Sequence, residues 1–90
     1  MEHGKIQITA AQVRMAKAAL GLSNPQLAAE TGLHRNTLNR AEKGEGRLAT
    51  FDHLRRYFEA EGVVFIPENG GPAGVRYAGK DIGEPNVTAD

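Results

Sequence analysis

The 90-residue chain contains no cysteine and no tryptophan. Without thiols it can form neither a disulfide nor a thiolate metal site, which suits a reducing cytoplasm. It has no apolar run near the roughly 20 residues of a transmembrane helix, and residues 1–9 lack the charged-then-apolar layout of a signal peptide. We therefore expect one small cytoplasmic domain with a modest hydrophobic core and no membrane contact.

The chain also lacks net charge, because 11 Lys and Arg balance 11 Asp and Glu. Taken alone, this balance counts against a nucleic-acid partner. The charges are unevenly distributed, however: residues 34–56 hold six positive and three negative side chains, whereas residues 57–90 hold two positive and six negative. The sequence therefore predicts a modest basic region in the middle of the chain and an acidic region after it.

Catalytic signatures are missing as well. There is no HExxH, no Ser–His–acid order with a nucleophile elbow, and no glycine cluster with phosphate-loop spacing. His3, His34 and His53 do not stand at metal-ligand spacing from one another. A short chain also offers little volume for a pocket, so we expect a protein that is not an enzyme and has no cofactor, metal or small-molecule ligand.

Two helix starts carry the same pair of signals. Each has a Ser or Thr followed three residues later by Gln, the capping-box spacing, and apolar residues that flank the box as a hydrophobic staple. The capping pairs are Thr9–Gln12 and Ser23–Gln26, and the staple pairs are Ile8–Val13 and Leu22–Leu27. These signals predict a first helix over residues 10–20 and a second over Asn24–Glu30, with Gly21 closing the first.

A third helix follows after a tight turn. Leu33 and Leu38 repeat the staple relation, which places the helix start near Arg35 with His34 as its N-cap. Gly32 lies where the chain must reverse sharply, and glycine accepts the left-handed backbone conformation that such a turn uses. The second and third helices thus read as a helix-turn-helix pair.

The hydrophobic period changes in the second half of the chain. Thr50 is the predicted N-cap of a fourth helix over Phe51–Glu61, and Gly62 ends it. The β-branched and aromatic runs Val63–Ile66 and Val75–Tyr77 predict a β-hairpin with a loop of about eight residues. The predicted division is residues 1–62 for a helical domain, 63–78 for the hairpin and 79–90 for a disordered tail.

The third helix carries side chains suited to reading bases. In a helix-turn-helix the second helix of the pair lies in the DNA major groove. Arginine can bind guanine, asparagine can bind adenine, and threonine can touch the thymine methyl group. The predicted base-contacting residues are Arg35, Asn36, Thr37, Asn39 and Arg40. The alternative for these side chains is an ordinary solvated helix face.

At these residues the chain resembles the Xre/Cro-type helix-turn-helix regulators, which include the lambdoid phage repressors. The resemblance covers residues 9–58 and rests on the family spacing of Leu27, Ala28, Gly32, Leu33, Leu38 and Ala41, and on the ending Arg40–Gly44. It implies a mainly α, four- to five-helix repressor-like domain, followed here by a C-terminal β-hairpin. It also implies sequence-specific binding to double-stranded DNA by a small transcriptional repressor or regulator, with base contacts from Arg35, Asn36 and Arg40.

The resemblance places phosphate contacts at Asn24, at Thr37 and in the loop after the third helix. The residues assigned to phosphates are Asn24, Gln26, His34, Lys43 and Arg47, although capping is the stronger role for Gln26. Surface charge without a DNA contact is an equal alternative for Lys43 and Arg47, as it is for Arg55 and Arg56. Two positions depart from the family: His34 is a poor N-cap, and the small Ala41 leaves room for a bulkier neighbour such as Phe51 or Phe58.

The hairpin lies outside the common core of the family, and its first strand is apolar on both faces. An exposed strand edge is also a natural pairing surface. The predicted dimer interface is Val64, Phe65, Ile66, Val75 and Tyr77, and a homodimer would match two DNA half-sites about 34 Å apart. The alternative function is a protein-interaction module, such as an antitoxin or adaptor, that has kept the helix-turn-helix fold.

Overall fold

The structure is a computed structural model and describes residues 7–79. Four helices are followed by an antiparallel two-stranded sheet. In chain order the elements are α1 (Ala10–Leu20), α2 (Asn24–Thr31), α3 (Arg35–Glu42), α4 (Leu48–Ala60), β1 (Val63–Ile66) and β2 (Gly74–Tyr77). The mainly α fold with a C-terminal hairpin is confirmed, with four helices in the described part of the chain. Residues 80–90 of the predicted tail lie outside the described residues.

Both predicted capping boxes are formed. Gln12 N–H donates to Thr9 Oγ1 at 3.1 Å, and Thr9 N–H donates back to Gln12 Oε1 at 3.0 Å. Ser23 and Gln26 repeat the arrangement at the start of α2. Two backbone donors at each helix start are thereby satisfied within the chain, and α1 and α2 begin where the sequence predicts.

The third and fourth helices differ in how they begin. His34 caps α3 through its ring, since His34 Nδ1 accepts a hydrogen bond from Asn36 N–H at 3.0 Å. The predicted start of α4 is wrong: the helix begins at Leu48, and its N-cap Arg47 makes no side-chain capping hydrogen bond. Thr50 lies inside the first turn, where its N–H donates to the Arg47 carbonyl at 3.0 Å.

The core lies where the helices and the hairpin meet. Its fully buried side chains include Val13, Leu27, Leu38, Leu54 and Phe58, and Val63 and Phe65 of β1 join the same cluster. The rings of Phe58 and Phe65 pack edge to face, with centroids 6.2 Å apart. The hairpin therefore covers one side of the hydrophobic core.

Ala41, Gly46 and Phe51 meet closely beside α3. A β-carbon at Gly46 would lie 3.1 Å from the Phe51 ring and 3.2 Å from Ala41. A small residue at each of positions 41 and 46 thus lets Phe51 reach the core. The loop between α3 and α4 is held in place by this contact.

The hairpin has one face toward the helices and one away from them. Val63 pairs with Tyr77 and Phe65 with Val75, and these residues belong to or pack against the core. Val64 lies opposite Arg76 on the other face and is 55% exposed. Phe65 is only 4% exposed, so its predicted place in a dimer interface is wrong. Successive side chains of a strand point to opposite faces, and that of Phe65 points toward the helices of the same chain.

Gln12 joins α1 to the loop end of the hairpin. Its Nε2 donates to the carbonyls of Ile66 at 3.0 Å and Gly74 at 2.9 Å, and these two residues are partners in the strand register. Gln12 is 1% exposed, so the hydrogen bonds are sheltered from water and satisfy buried groups. Residues 7–62 and the hairpin segment 63–78 therefore share one core.

Candidate nucleic-acid interface

The outer face of α3 is polar and open to solvent. Leu38 and Ala41 are buried and define the inner side of the helix. At 100° per residue, the side opposite them is occupied by Asn36, Arg40 and Lys43. All three are exposed.

The other two predicted base-contacting residues lie on opposite flanks of that face. Asn39 is exposed and lies on the flank toward α2, where it accepts a hydrogen bond from Asn24. Thr37 is half-buried and lies on the flank toward the α3–α4 loop. Arg35 is exposed at the first position of the helix. The five residues therefore share one helix but do not share one environment.

A groove runs along the Thr37 flank of α3. Its volume is about 440 Å³, and it is lined by Thr37, Arg40, Glu45, Gly46, Arg47 and Thr50. Two arginines and two hydroxyl groups are suited to an anionic partner, and Glu45 offsets part of the positive charge. The groove brings predicted base and phosphate residues together with three positions that sequence reasoning did not select for the site, Glu45, Gly46 and Thr50.

The amino terminus of α4 adds to the positive potential of this groove. Arg47 is the N-cap and Thr50 lies in the first turn, and both line the groove. A helix start carries a partial positive charge from its backbone N–H groups. Because no side chain caps this start, its charge is not offset by a capping oxygen.

A polar network ties α1 and α2 to the other flank of α3. Lys17 pairs with Glu42 and donates to Asn24 Oδ1 at 2.7 Å. Asn24 Nδ2 in turn donates to Asn39 Oδ1 at 2.6 Å. Arg14 donates to the backbone carbonyl of Glu42 at the last residue of α3. The carboxylate of Glu42 is therefore offset by Lys17, so it cancels little of the positive charge on the outer face of α3.

The remaining predicted phosphate residues have mixed surroundings. His34 is exposed, and its capping bond through Nδ1 leaves Nε2 on the other side of the ring. Gln26 is used in the capping box, where its Oε1 accepts from Ser23 N–H at 2.8 Å. Lys43 and Arg47 are exposed and form no ion pair with another residue of the range 7–79. Gln26 therefore has the local role that the capping pattern predicts.

The cations of α4 are paired along their own helix. Arg55 contacts Asp52 at 2.6 Å and Glu59 at 2.9 Å, and Arg56 contacts Asp52 at 2.8 Å. The hydrogen bond that Arg55 donates to the Asp52 carboxylate is the main cause that raises the pKa of Arg55 above its ordinary value. Arg55 is thus held as a structural cation, and Arg56 shares its partner.

Sequence reasoning missed the network residues for a specific reason. Lys17 and Glu42 look like ordinary helix-surface charges, and the contact between Asn24 and Asn39 spans 15 positions in the chain. Such a contact depends on how α2 and α3 cross. For Thr50 the available signal, a hydroxyl near a helix start, indicated a cap rather than a groove residue.

Two further properties concern only the described part of the chain. No group of three or more His, Cys, Asp or Glu among residues 7–79 is arranged to hold a metal ion. None of the helices in this range has the length and apolar character that a membrane crossing requires.

The sequence model of a helix-turn-helix family matches residues 13–63, more than half of the chain. The match begins inside α1 and ends at the first residue of β1, so it covers most of α1, all of α2, α3 and α4, and the groove. This chain belongs to that family, in its Xre/Cro-like type, and so to a family of DNA-binding regulators. Comparisons with curated proteins and with solved structures gave no match.

Proposed function

We propose that this protein binds double-stranded DNA at a specific sequence, with α3 in the major groove, and acts as a small transcriptional repressor or regulator. The observation that carries the proposal is the outer face of α3. Its exposed cations form no ion pair with another residue of the range 7–79, and exposed amides lie beside them. In this proposal the protein regulates by occupying its DNA site.

Base reading is assigned to the part of α3 that projects furthest from the core. Asn36 and Arg40 lie opposite the buried side of the helix, and Arg35 stands at its first turn. The first turns of a recognition helix meet the base edges, and arginine and asparagine offer bidentate contacts to guanine and adenine. Asn39 reads a base from the flank of the same helix.

Phosphate binding is assigned to the groove and to the start of α3. Thr37, Arg47 and Thr50 line the groove beside the uncapped start of α4, an environment that favours an anion. His34 and Lys43 lie at the two ends of α3 and can reach the same DNA strand from either side. Asn24 and Gln26 already form hydrogen bonds within the protein, so a phosphate contact from either would compete with those bonds.

The test is selection of bound sequences from random DNA, followed by binding measurements on the enriched site. We expect a defined motif that Arg40→Ala binds less tightly than the wild type. Binding that is equally tight to every sequence would contradict base reading. No binding to any DNA would favour the protein-interaction alternative.

Dimerisation through the hairpin is the second part of the proposal. Val64 is 55% exposed and Ile66 is partly exposed on the outer face of the sheet, and both strands are edges of a two-stranded sheet. Exposed strand edges can pair with a second copy. A two-fold dimer is expected to enrich a palindrome whose half-sites lie about one helical turn of DNA apart.

The same exposed edge also supports the alternative function, an antitoxin or adaptor that binds a different protein. Light scattering separates these readings. A homodimer that becomes a monomer on Val64→Lys supports self-pairing. A wild-type monomer at high concentration contradicts it.

A further inference from the structure

The side-chain amide of Asn24 is held at both ends by charged groups. Lys17 Nζ donates to its oxygen at 2.7 Å, and Glu42 Oε1 lies 3.4 Å from its nitrogen. An ammonium group has only donors, and an ionised carboxylate has only acceptors. The amide can satisfy both neighbours in one orientation only, with Oδ1 toward Lys17 and Nδ2 toward α3.

The orientation of the Asn24 amide in turn fixes the orientation of the Asn39 amide on α3. Asn24 offers an N–H on that side, and Asn39 Oδ1 accepts it at 2.6 Å. The carbonyl oxygen of Asn39 is therefore turned inward, toward α2. Its Nδ2 is left on the side away from Asn24, on an exposed residue.

The direction of the Asn39 amide decides which bases it can read. Adenine presents a donor and an acceptor in the major groove, and an asparagine that reads it needs both its oxygen and its nitrogen. Guanine presents two acceptors, N7 and O6. Because the Asn39 oxygen already accepts from Asn24, only the Asn39 N–H groups are left for the DNA. They can donate to the two acceptors of guanine but cannot form the donor-and-acceptor pair that adenine requires.

We propose that Lys17 and Asn24 orient Asn39 as a hydrogen-bond donor in the major groove, so that Asn39 selects guanine rather than adenine. The inference rests on the proposed DNA-reading function and adds the identity of one base to it. Lys17 and Asn24 are positioning residues that act through Asn39. Glu42 supports them by accepting from both.

The first experiment locates the base that Asn39 contacts. Sites are selected from random DNA with the full chain and with Asn39→Ala, and the two base frequencies are compared at every position. We expect Asn39→Ala to lower a guanine preference at one position by about tenfold and to leave the other positions unchanged. Asn36→Ala is the matched control, because it removes an amide of the same helix that lies outside the network and should alter a different position.

The second experiment reverses the amide. Asn24→Asp replaces the donor that faces α3 with an acceptor, so Asn39 must turn its Nδ2 inward and its oxygen toward the DNA. The preferred base at the same position should then change from guanine to one that presents a donor, cytosine or adenine. Asn24→Ala removes the constraint without reversing it, and should relax the preference at that position without creating a new one.

Circular dichroism melting checks that each variant is folded. If Asn24→Asp alone does not fold because two carboxylates lie together, the double variant Asn24→Asp with Glu42→Gln removes that repulsion and carries the same expectation.

An adenine preference at the position located by Asn39→Ala would overturn the orientation argument. So would a folded Asn24→Asp variant with an unchanged guanine preference, or an Asn39→Ala variant that selects the wild-type motif. Failure of the wild type to enrich any sequence would overturn DNA reading itself, and the inference with it. The two failures are thus distinguishable.

Discussion

The helices α3 and α4 both carry arginines on their surfaces, but they use them differently. Arg40 of α3 stands on an open face and lines a groove, whereas Arg55 and Arg56 of α4 share the carboxylate of Asp52. Arg55 is further bound to Glu59. The comparison shows that the number of cations on a helix does not identify a nucleic-acid surface. The candidate interface on α3 differs from α4 in that its arginines form no ion pair with another residue of the range 7–79.

The arginines of α3 give the largest expected effect. Arg35→Ala or Arg40→Ala should each cost about 1–3 kcal/mol on the selected DNA site and much less on random DNA, because each variant loses contacts to one base. Arg56→Ala is the control, since it removes a cation whose partner is in its own helix. Fluorescence anisotropy on both DNAs measures the difference. Equal losses for the α3 and α4 variants would break the comparison.

The partly buried ion pairs of Arg55 in α4 should affect stability instead of binding. The Arg55 side chain is 13% exposed and bonds two carboxylates, so Arg55→Ala should lower the free energy of unfolding by about 1 kcal/mol. Arg56, with a side chain 69% exposed, should lose less than about 0.5 kcal/mol as Arg56→Ala. Urea unfolding gives both values. A stable Arg55→Ala protein with weakened DNA binding would assign α4 to the interface.

Arg47 separates phosphate contacts from base contacts within the proposed interface. Arg47→Ala should weaken specific and random DNA alike, and the slope of log affinity against log salt should fall by about 0.9, the value for one phosphate contact. Titrations at several salt concentrations measure this slope. An unchanged slope would remove Arg47 from the phosphate contacts and leave the groove to Thr37 and Arg40.

Releasing the paired cations of α4 gives the smallest expected effect. Asp52→Asn removes the carboxylate that Arg55 and Arg56 share. If pairing is what keeps these cations from DNA, affinity for random DNA should rise slightly, by less than about threefold. A parallel measurement on Glu68→Gln controls for the change in net charge, because Glu68 is exposed in the hairpin loop and forms no ion pair with another residue of the range 7–79. Equal rises in both variants would mean that net charge, and not pairing, distinguishes the helices.

Features that depend on neighbours along the chain could be predicted from the sequence. Thr9 with Gln12 and Ser23 with Gln26 marked two helix starts correctly, because capping is a contact across three residues. The start of α4 could not be predicted in this way, since Arg47 offers no capping oxygen while Thr50 resembles a cap. The apolar run of β1 indicated a strand in the sequence, but which of its two apolar faces meets the helices could not be predicted.

Contacts between segments that are distant along the chain could not be predicted from the sequence. Gln12 already had a complete role in its capping box, so nothing suggested that its free Nε2 would reach β1 and β2. The link from Asn24 to Asn39 similarly depends on the angle between two helices. In the candidate site, residue types and the exposed helix were predictable, whereas the direction of each amide was not.

The hydrogen bonds from Gln12 to the hairpin limit where the chain can be truncated for expression. The family match ends at residue 63, yet Phe58 packs against Phe65 and the buried amide of Gln12 has its acceptors at Ile66 and Gly74. A fragment that ends at residue 63 would expose the Phe58 ring to solvent. It would also leave the buried amide of Gln12 without its hydrogen-bond acceptors. The smallest fragment worth expressing therefore ends beyond Tyr77.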